Sequence, residues 1–450
     1  MRHARVWLPL ITLVSLLASA PVSGAEYPID AEHPRLLLPQ RRLRLLRREQ
    51  ERESLRWNQF QSLMRSGAQF PEVGFANALF YIVKGEQTVG RKAVDWALAA
   101  PPNADPRQLA LVFDWCQPLL SRTETDALAG KLLQIAGAAP SNPTIATQRD
   151  RAFAAIALAG HAGYDPSPVL EQIIDKWWED LAKQLSAGSL VLPVTDHFAL
   201  YELFHVVRDD LDTDLRESAS KYFFTLPVYH LLSHYPAPFN APENDYRVPI
   251  SKPGATPNTR DAALSRAAAL GMVALDVNSQ ETGFLQGWLI QDAYLMSSPF
   301  GAPYEFMWAN PYQPGLSYHY LPNVFHDQEN GRLILRSTWE DDASWFYQIP
   351  GVRQLYQEGK ASDIAKQPVT APLEFGSATI LPAVSGSFNV KADAAHTYYL
   401  FGMAPSATYN LEIDDEELRE VSTDSGGVLE LGYAIQREAV GRLKVVDLAK

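Results

Sequence analysis

Three short constellations in this 450-residue chain carry side chains able to move protons or hold a polar ligand. Asp196-His197 precedes Tyr201 and His205. Steps of four and eight residues set those three rings on one face of a predicted helix, where their polar tips can converge. In a proline-rich connection, Tyr246 stands between Asn244 and Arg247, close in sequence. Farther on, Tyr318-His319-Tyr320 is followed by His326-Asp327, with Trp308, Asn310 and Tyr312 just upstream. Histidine titrates near neutrality and both gives and takes protons. A tyrosine, with an ordinary pKa of ~10, acts as a base only beside a cation, and Arg247 is the adjacent one for Tyr246. Asp327 is placed to fix a tautomer of His326, and the aromatic and amide groups suit stacking and hydrogen bonding to a ring. The plainer readings are a packed helix face for the first group, a loop anchor for Tyr246, and interface packing for the third.

Those residues need elements to position them. After Pro39 the segment Q-R-R-L-R-L-L-R-R is a basic amphipathic helix, most simply a solvated face. Apolar residues then recur at helical spacing over 73–84, 87–100, 106–117, 121–138, 144–163, 166–186, 196–208, 212–235, 258–276 and 283–297. In 212–235 the stripe Leu215, Ala219, Tyr222, Phe223, Leu226 and Tyr229 must pack on other helices. Ser121 with Glu124 reads as a capping box. The stretch from Pro236 to Pro257 is too long for a simple link, and its Phe239, Tyr246, Val248 and Ile250 favour an ordered loop over a cleft. Beyond Gly331 the pattern changes to short alternating runs: 332–337, 344–349, 373–380, 386–391, 396–402, 407–413, 427–433 and 440–446. The predicted class is α+β multidomain, with helices over 26–320 and an antiparallel sandwich over 321–450. Gln313 to Ile349 is the seam, and ligand clefts favour such seams.

Composition narrows the partners. Thirty-nine basic against 52 acidic residues give a net charge of -13, unsuited to nucleic acid or an anionic membrane surface, though one cleft can still be basic. Arg2 to Arg5, the apolar run Val6 to Leu17 and the small residues before Glu26 have the layout of a secretory signal peptide, residues 1–25. The expected location is periplasmic or secreted, with no membrane span. The single cysteine, Cys116, allows no internal disulfide and reads as a small core residue. His230 and His234, at i and i+4, and the pair Glu202 and His205 fall short of a metal signature, so neither a metal nor a cofactor is expected. Arg149, Arg151, Arg260 and Arg266 are weaker candidates for holding a carboxylate. Neither a G-x-S-x-G elbow nor a phosphate-binding loop pattern appears.

His33-Pro34-Arg35-Leu36-Leu37-Leu38, Phe113-Asp114-Trp115 and Gly331-Arg332-Leu333-Ile334-Leu335-Arg336-Ser337 followed by Trp339 resemble heparinase II/III-like and alginate-lyase-like polysaccharide lyases. The resemblance implies an incomplete α/α toroid joined to a β-sandwich, acting on a uronic-acid polysaccharide by β-elimination. That reaction needs a neutraliser for the carboxylate, a base for the C5 proton and an acid for the departing oxygen. His197, Tyr246 and His319 are the expected catalytic residues. Tyr201, His205, Asn244, Arg247, Arg260, Trp308, Asn310, Tyr318 and His326 are the expected binding residues. The family tends to have Asn-His where this chain has Asp196-His197, a departure that matters because a carboxylate repels a uronate. Two alternatives stay open. One is a non-catalytic glycan-binding or scaffold protein. The other is a toroidal glycoside hydrolase using Asp196 with Asp261 or Asp292.

Overall fold

The computed structural model describes residues 27, 29–240, 245–250, 258–292, 294–366, 369–382, 387–390, 396–414, 417–431 and 439–445. The predicted signal peptide and Asn244 lie outside them. The chain is helical in its N-terminal part and forms sheets in its C-terminal part. The helices begin with α1 (Gln40–Glu51), α2 (Leu55–Ser66), α3 (Val73–Lys84), α4 (Gln87–Ala99) and α5 (Pro106–Trp115). Next come α6 (Arg122–Ala136), α7 (Ile145–Leu158), α8 (Ser167–Glu171) and α9 (Glu179–Ser186), the last two joined by one π-turn segment. The series ends with α10 (His197–Leu211), α11 (Ser220–Leu232), α12 (Thr259–Leu275), α13 (Gln280–Gln291) and α14 (Gly301–Trp308).

Local chemistry explains the boundaries. Ser121 and Glu124 form the capping box that spacing predicted, satisfying otherwise orphaned amides. Ser54 caps α2 by accepting from the Trp57 amide, and Gly67 ends it in the left-handed conformation that glycine adopts freely. The expected helix over 212–235 is instead a 3-10 turn, Leu215–Ala219, leading into α11. Its predicted stripe is nevertheless buried from Leu215 to Tyr229. Helices α2 and α14 carried too little periodicity to be anticipated.

Neighbouring helices pack in pairs, α3 on α4 and α6 on α7, while α10 lies against α7 and α12. The last helix returns to the first ones: Phe306 of α14 sits 5.3 Å from Trp57 and 5.8 Å from Phe60, ring centre to ring centre. Two of the motifs singled out in the sequence prove to be one contact. The Asp114 carboxylate accepts hydrogen bonds from the Arg35 and Leu36 amides, each at 2.9 Å, and the Trp115 indole donates to the Leu36 carbonyl. They clamp the chain entry onto α5.

A two-residue ribbon, β1 (Phe239–Asn240) with β2 (Asp245–Tyr246), lies in the long connection. The first large sheet runs β3 (Val324–Asp327), β4 (Arg332–Arg336), β5 (Trp345–Ile349), β6 (Val352–Gln357) and β7 (Lys360–Asp363), all antiparallel. Two four-stranded sheets use β8 (Leu373–Phe375), β9 (Ala378–Pro382), β10 (Ser387–Val390), β11 (Thr397–Phe401), β12 (Thr408–Ile413), β13 (Glu417–Ser422), β14 (Leu429–Glu430) and β15 (Ala439–Val445). Strand order is β14-β11-β9-β8 in one and β10-β15-β12-β13 in the other. The expectation of purely antiparallel pairing is corrected, since β9 and β11 run parallel, the chain crossing through β10 between them. The single strand expected over 373–380 is two strands, split at Gly376, whose φ of +62° turns the chain.

Alternation along strands distributes three cores. Ile334, Trp345, Tyr347 and Tyr356 belong to the helical core, whereas Leu333, Leu335 and Phe346 face away and pack with Phe375, Ile380, Tyr399 and Phe401. Tyr398 and Leu400 join Leu411 and Ile413 in the third. Among the described residues no helix is long and apolar enough to cross a membrane.

Candidate functional site

The body-facing side of the first sheet meets the helices at a seam, where arginines, aromatics and a histidine converge. Arg336 points from β4 toward the body on the same strand face as Ile334, and its guanidinium lies 4.9 Å from the Trp339 ring centre. It is 5% exposed, and its only side-chain hydrogen bond among the described residues goes to the Thr338 carbonyl at 3.3 Å. No described carboxylate lies within ion-pair distance. Burial, reinforced by the neighbouring Arg247 charge, lowers its pKa to about 10. Arg247 is better provided for. Its Nε donates to Asp292 at 2.7 Å, and its Nη1 donates to Asp341 and to the Pro236 carbonyl.

Both guanidiniums line a small pocket with His234, Tyr235, Trp288, Tyr318 and Trp339. Its volume of 10 Å³ holds about one water, so only the tip of a ligand enters it. Burial raises the Tyr318 pKa against the pull of both arginines, so the phenol keeps its proton. His319 stacks on Tyr318 with ring centres 4.4 Å apart, stays exposed, and accepts at Nε2 from the Gln291 amide at 3.0 Å. The Tyr235 hydroxyl reaches Gln354 on the rim of a second, wider cleft of 790 Å³, whose walls include Thr195, Tyr229, Ile250 and Tyr347.

Glycines hold this turn against α13. A Cβ on Gly287 would stand 1.7 Å from the Leu316 carbonyl oxygen, and one on Gly315 would stand 2.5 Å from Gly287. The Leu316 amide donates to the Gly283 carbonyl at 2.8 Å, which brings Tyr318 and His319 beside Gln291.

The other predicted residues lie elsewhere. The rings of His197, Tyr201 and His205 share a helix but do not meet. His197 is fully buried, its Nδ1 2.8 Å from the Nδ1 of His230. Acceptors assign the protons along this interior chain. His234 donates from Nδ1 to the His230 carbonyl and accepts at Nε2 from the Ser265 hydroxyl. His230 donates from Nε2 to the Ser265 carbonyl, so its Nδ1 accepts from His197. Burial lowers His197 to about 3 and His234 to about 4, and the chain of rings is uncharged at neutral pH. Both imidazole nitrogens of His230 and His234 are therefore committed, and the described residues contain no group of three or more metal-type ligands.

Tyr246 is 4% exposed, packs on Tyr294 with ring centres 5.3 Å apart, and does not line the seam pocket. His326 does not use Asp327. It bridges Asp424 at 2.8 Å and Glu430 at 2.6 Å, while Asp327 pairs with Arg332. Among the weaker candidates, Arg149 binds Glu202 together with Arg107 in a buried cluster, Arg151 bonds Gln148 and Gln172, and Arg266 pairs with Glu305 and Asp292. Arg260 stands over Phe300, 3.6 Å from Glu72. His205, Trp308 and Asn310 gather beneath α1, at the far end of α10 from His197. Of the carboxylates considered for hydrolysis, Asp292 is taken by two arginines.

Arg336, Trp288 and Trp339 were not singled out as binding residues. The available signal was the alternation of β4, which puts Arg332, Ile334 and Arg336 on one face.

No family model matches the chain. No curated protein matches it either. A solved structure described as a glycoside hydrolase aligns with 83% of this chain and 71% of its own length, at 9% identity and a TM-score of 0.30, too low to carry an argument.

Proposed function

We propose that this chain is an exported, lyase-like protein acting on uronic-acid polysaccharide, with one uronate held at the seam and cleaved by β-elimination. The observation that carries this reading is Arg336, a buried cation with no described carboxylate partner, beside Arg247 and the protonated phenol of Tyr318. A uronate carboxylate reaching the pocket mouth would supply the missing charge. Its neutralisation acidifies the C5 proton, and burial of the pair strengthens the effect. The sugar ring rests outside, against His319. Once the sugar displaces Gln291, the freed Nε2 of His319 takes the C5 proton, and Tyr318 gives its proton to the departing O4. The return of α14 onto α2 supports an incomplete toroid, and the stacked sheets with alternating cores support a sandwich-type second part. Export to the periplasm or beyond rests on the leader-like first 25 residues.

Non-catalytic glycan binding is the second reading. Its specific support is that His197 and Tyr246 are sealed from the seam pocket and that Gln291 occupies the His319 nitrogen.

The test uses purified protein with alginate, heparan, chondroitin, hyaluronan and pectic polymers, following the ultraviolet absorbance of the unsaturated uronate. Product that disappears in Tyr318→Phe while binding persists establishes the lyase. Binding without product, lost in Arg336→Met, establishes the binder. Neither binding nor product on any polymer overturns both.

A further inference from the structure

A third cleft, of 580 Å³, opens between α1 and the C-terminal ends of α10, α12 and α14. Its volume is that of a small-molecule site. Its walls carry Arg41, Arg42, Arg44, Arg48 and Arg208 against one acid, Asp209. In a chain of net charge -13 such a concentration does not follow from composition.

Part of it has a structural explanation. Helix C-termini are electronegative, and Arg208 donates to the Leu275 carbonyl at the end of α12 and to Asp209. The α1 arginines are different. Arg41, Arg44 and Arg48 make no side-chain hydrogen bond or ion pair among the described residues, and Arg42 makes one hydrogen bond, to the His205 Nδ1 at 3.3 Å. His205 donates its other ring proton to the Gly271 carbonyl, so the nitrogen facing Arg42 is the acceptor. Arg42 stacks 4.3 Å over Trp308, half-buried, and burial lowers its pKa to about 10. Trp308 is 2% exposed and its buried indole nitrogen has no described partner. At the mouth, Tyr312 is 49% exposed beside Arg52.

We propose that this cleft is an anion-binding site separate from the seam, taking a sugar that carries several sulfate or phosphate esters. The arginines of α1 supply planar donors for the ester oxygens, and Tyr312 supplies a flat surface for the ring. A concave site of this size does not fit a duplex or a flat membrane. The reading does not depend on lyase activity.

Calorimetric titration of the whole protein with sucrose octasulfate and inositol hexakisphosphate, and with sucrose as neutral control, tests it. Neither probe contains a uronate, and the better of the two identifies the ester. The double variant Arg44→Gln/Arg48→Gln changes exposed side chains only, and its melting curve is expected to match the parent. Its affinity is expected to fall at least tenfold, while Arg336→Met at the seam leaves affinity unchanged. Absence of binding by both probes overturns the proposal. So does binding that the double variant leaves intact, or that Arg336→Met weakens equally, either of which marks diffuse attraction to surface charge.

Discussion

Arg336 is a charge held against the tendency of burial to expel it. An unpaired buried cation is destabilising, and replacement by an apolar side chain of similar length relieves that cost. Arg336→Met is therefore expected to leave stability unchanged or raise it by about 1 kcal/mol, while weakening uronate binding by ~1.5–3 kcal/mol, roughly ten- to a hundredfold. Melting curves and titrations separate the two effects, and a loss of both would make Arg336 structural. His326 behaves oppositely. Burial opposes its charge, but Asp424 and Glu430 outweigh it and raise the pKa to about 9. The folded value lies above the ordinary one of ~6.5, so the stabilisation is complete below pH ~6.5 and is lost as pH rises through about 9. His326→Gln is expected to cost on the order of 3 kcal/mol at pH 6 and far less at pH 10, measured by urea unfolding at both. Arg247, Tyr318 and His319 at the seam were legible in the sequence, and Arg336, Trp288 and the partners of all of them were not. Adjacent His326 and Asp327 face different neighbours, because successive strand residues point to opposite sides.

At the scale of elements, α13 shows how small residues position a site. Gly283 and Gly287 allow the Leu316 backbone to lie on the helix, and the Tyr318-His319 turn follows from that approach. Gly287→Ala drives a methyl into the Leu316 carbonyl oxygen. Its expected cost is ~1–3 kcal/mol of stability, with a larger relative loss of glycan binding or turnover, because the turn must lift. An unchanged binding curve would show that the turn does not form the site. Helix α10 carries a second lesson. Its expected catalytic face is divided among separate neighbours, and Glu202 in its middle is clamped by Arg107 and Arg149. Glu202→Ala would leave Arg107 with Glu72 and Arg149 with Asp150 as their remaining carboxylates, and is expected to cost ~1.5–3 kcal/mol, read from the denaturation midpoint. Helical periodicity announced the helix, but not which neighbours each of its rings would meet.

Across the whole molecule, the helical part and the first sheet share one core, because Ile334, Trp345, Tyr347 and Tyr356 pack into the helices. The Tyr229 and Tyr347 hydroxyls meet at 2.7 Å inside it. Tyr347→Phe leaves the Tyr229 hydroxyl with one partner fewer where it borders the wide cleft, at an expected cost of ~0.5–1.5 kcal/mol. Both the helical and the aromatic circular-dichroism signals should shift together in that variant, and separate transitions would refute a shared core. What the sequence determined by itself was local: most helix positions from apolar spacing, the capping box of Ser121 and Glu124, the change to strands near Gly331, and the net charge. Each depends on neighbours a few residues away, which spacing reports. Tertiary structure alone decided that the His33–Leu38 and Phe113–Trp115 motifs touch, that α14 returns to α2, and that β9 and β11 run parallel. It also decided that His197 is sealed inside while Arg336 reaches the seam with no carboxylate partner among the described residues. Those outcomes depend on contacts between residues far apart in the chain and on which face each element buries, and neither is written in the order of the residues.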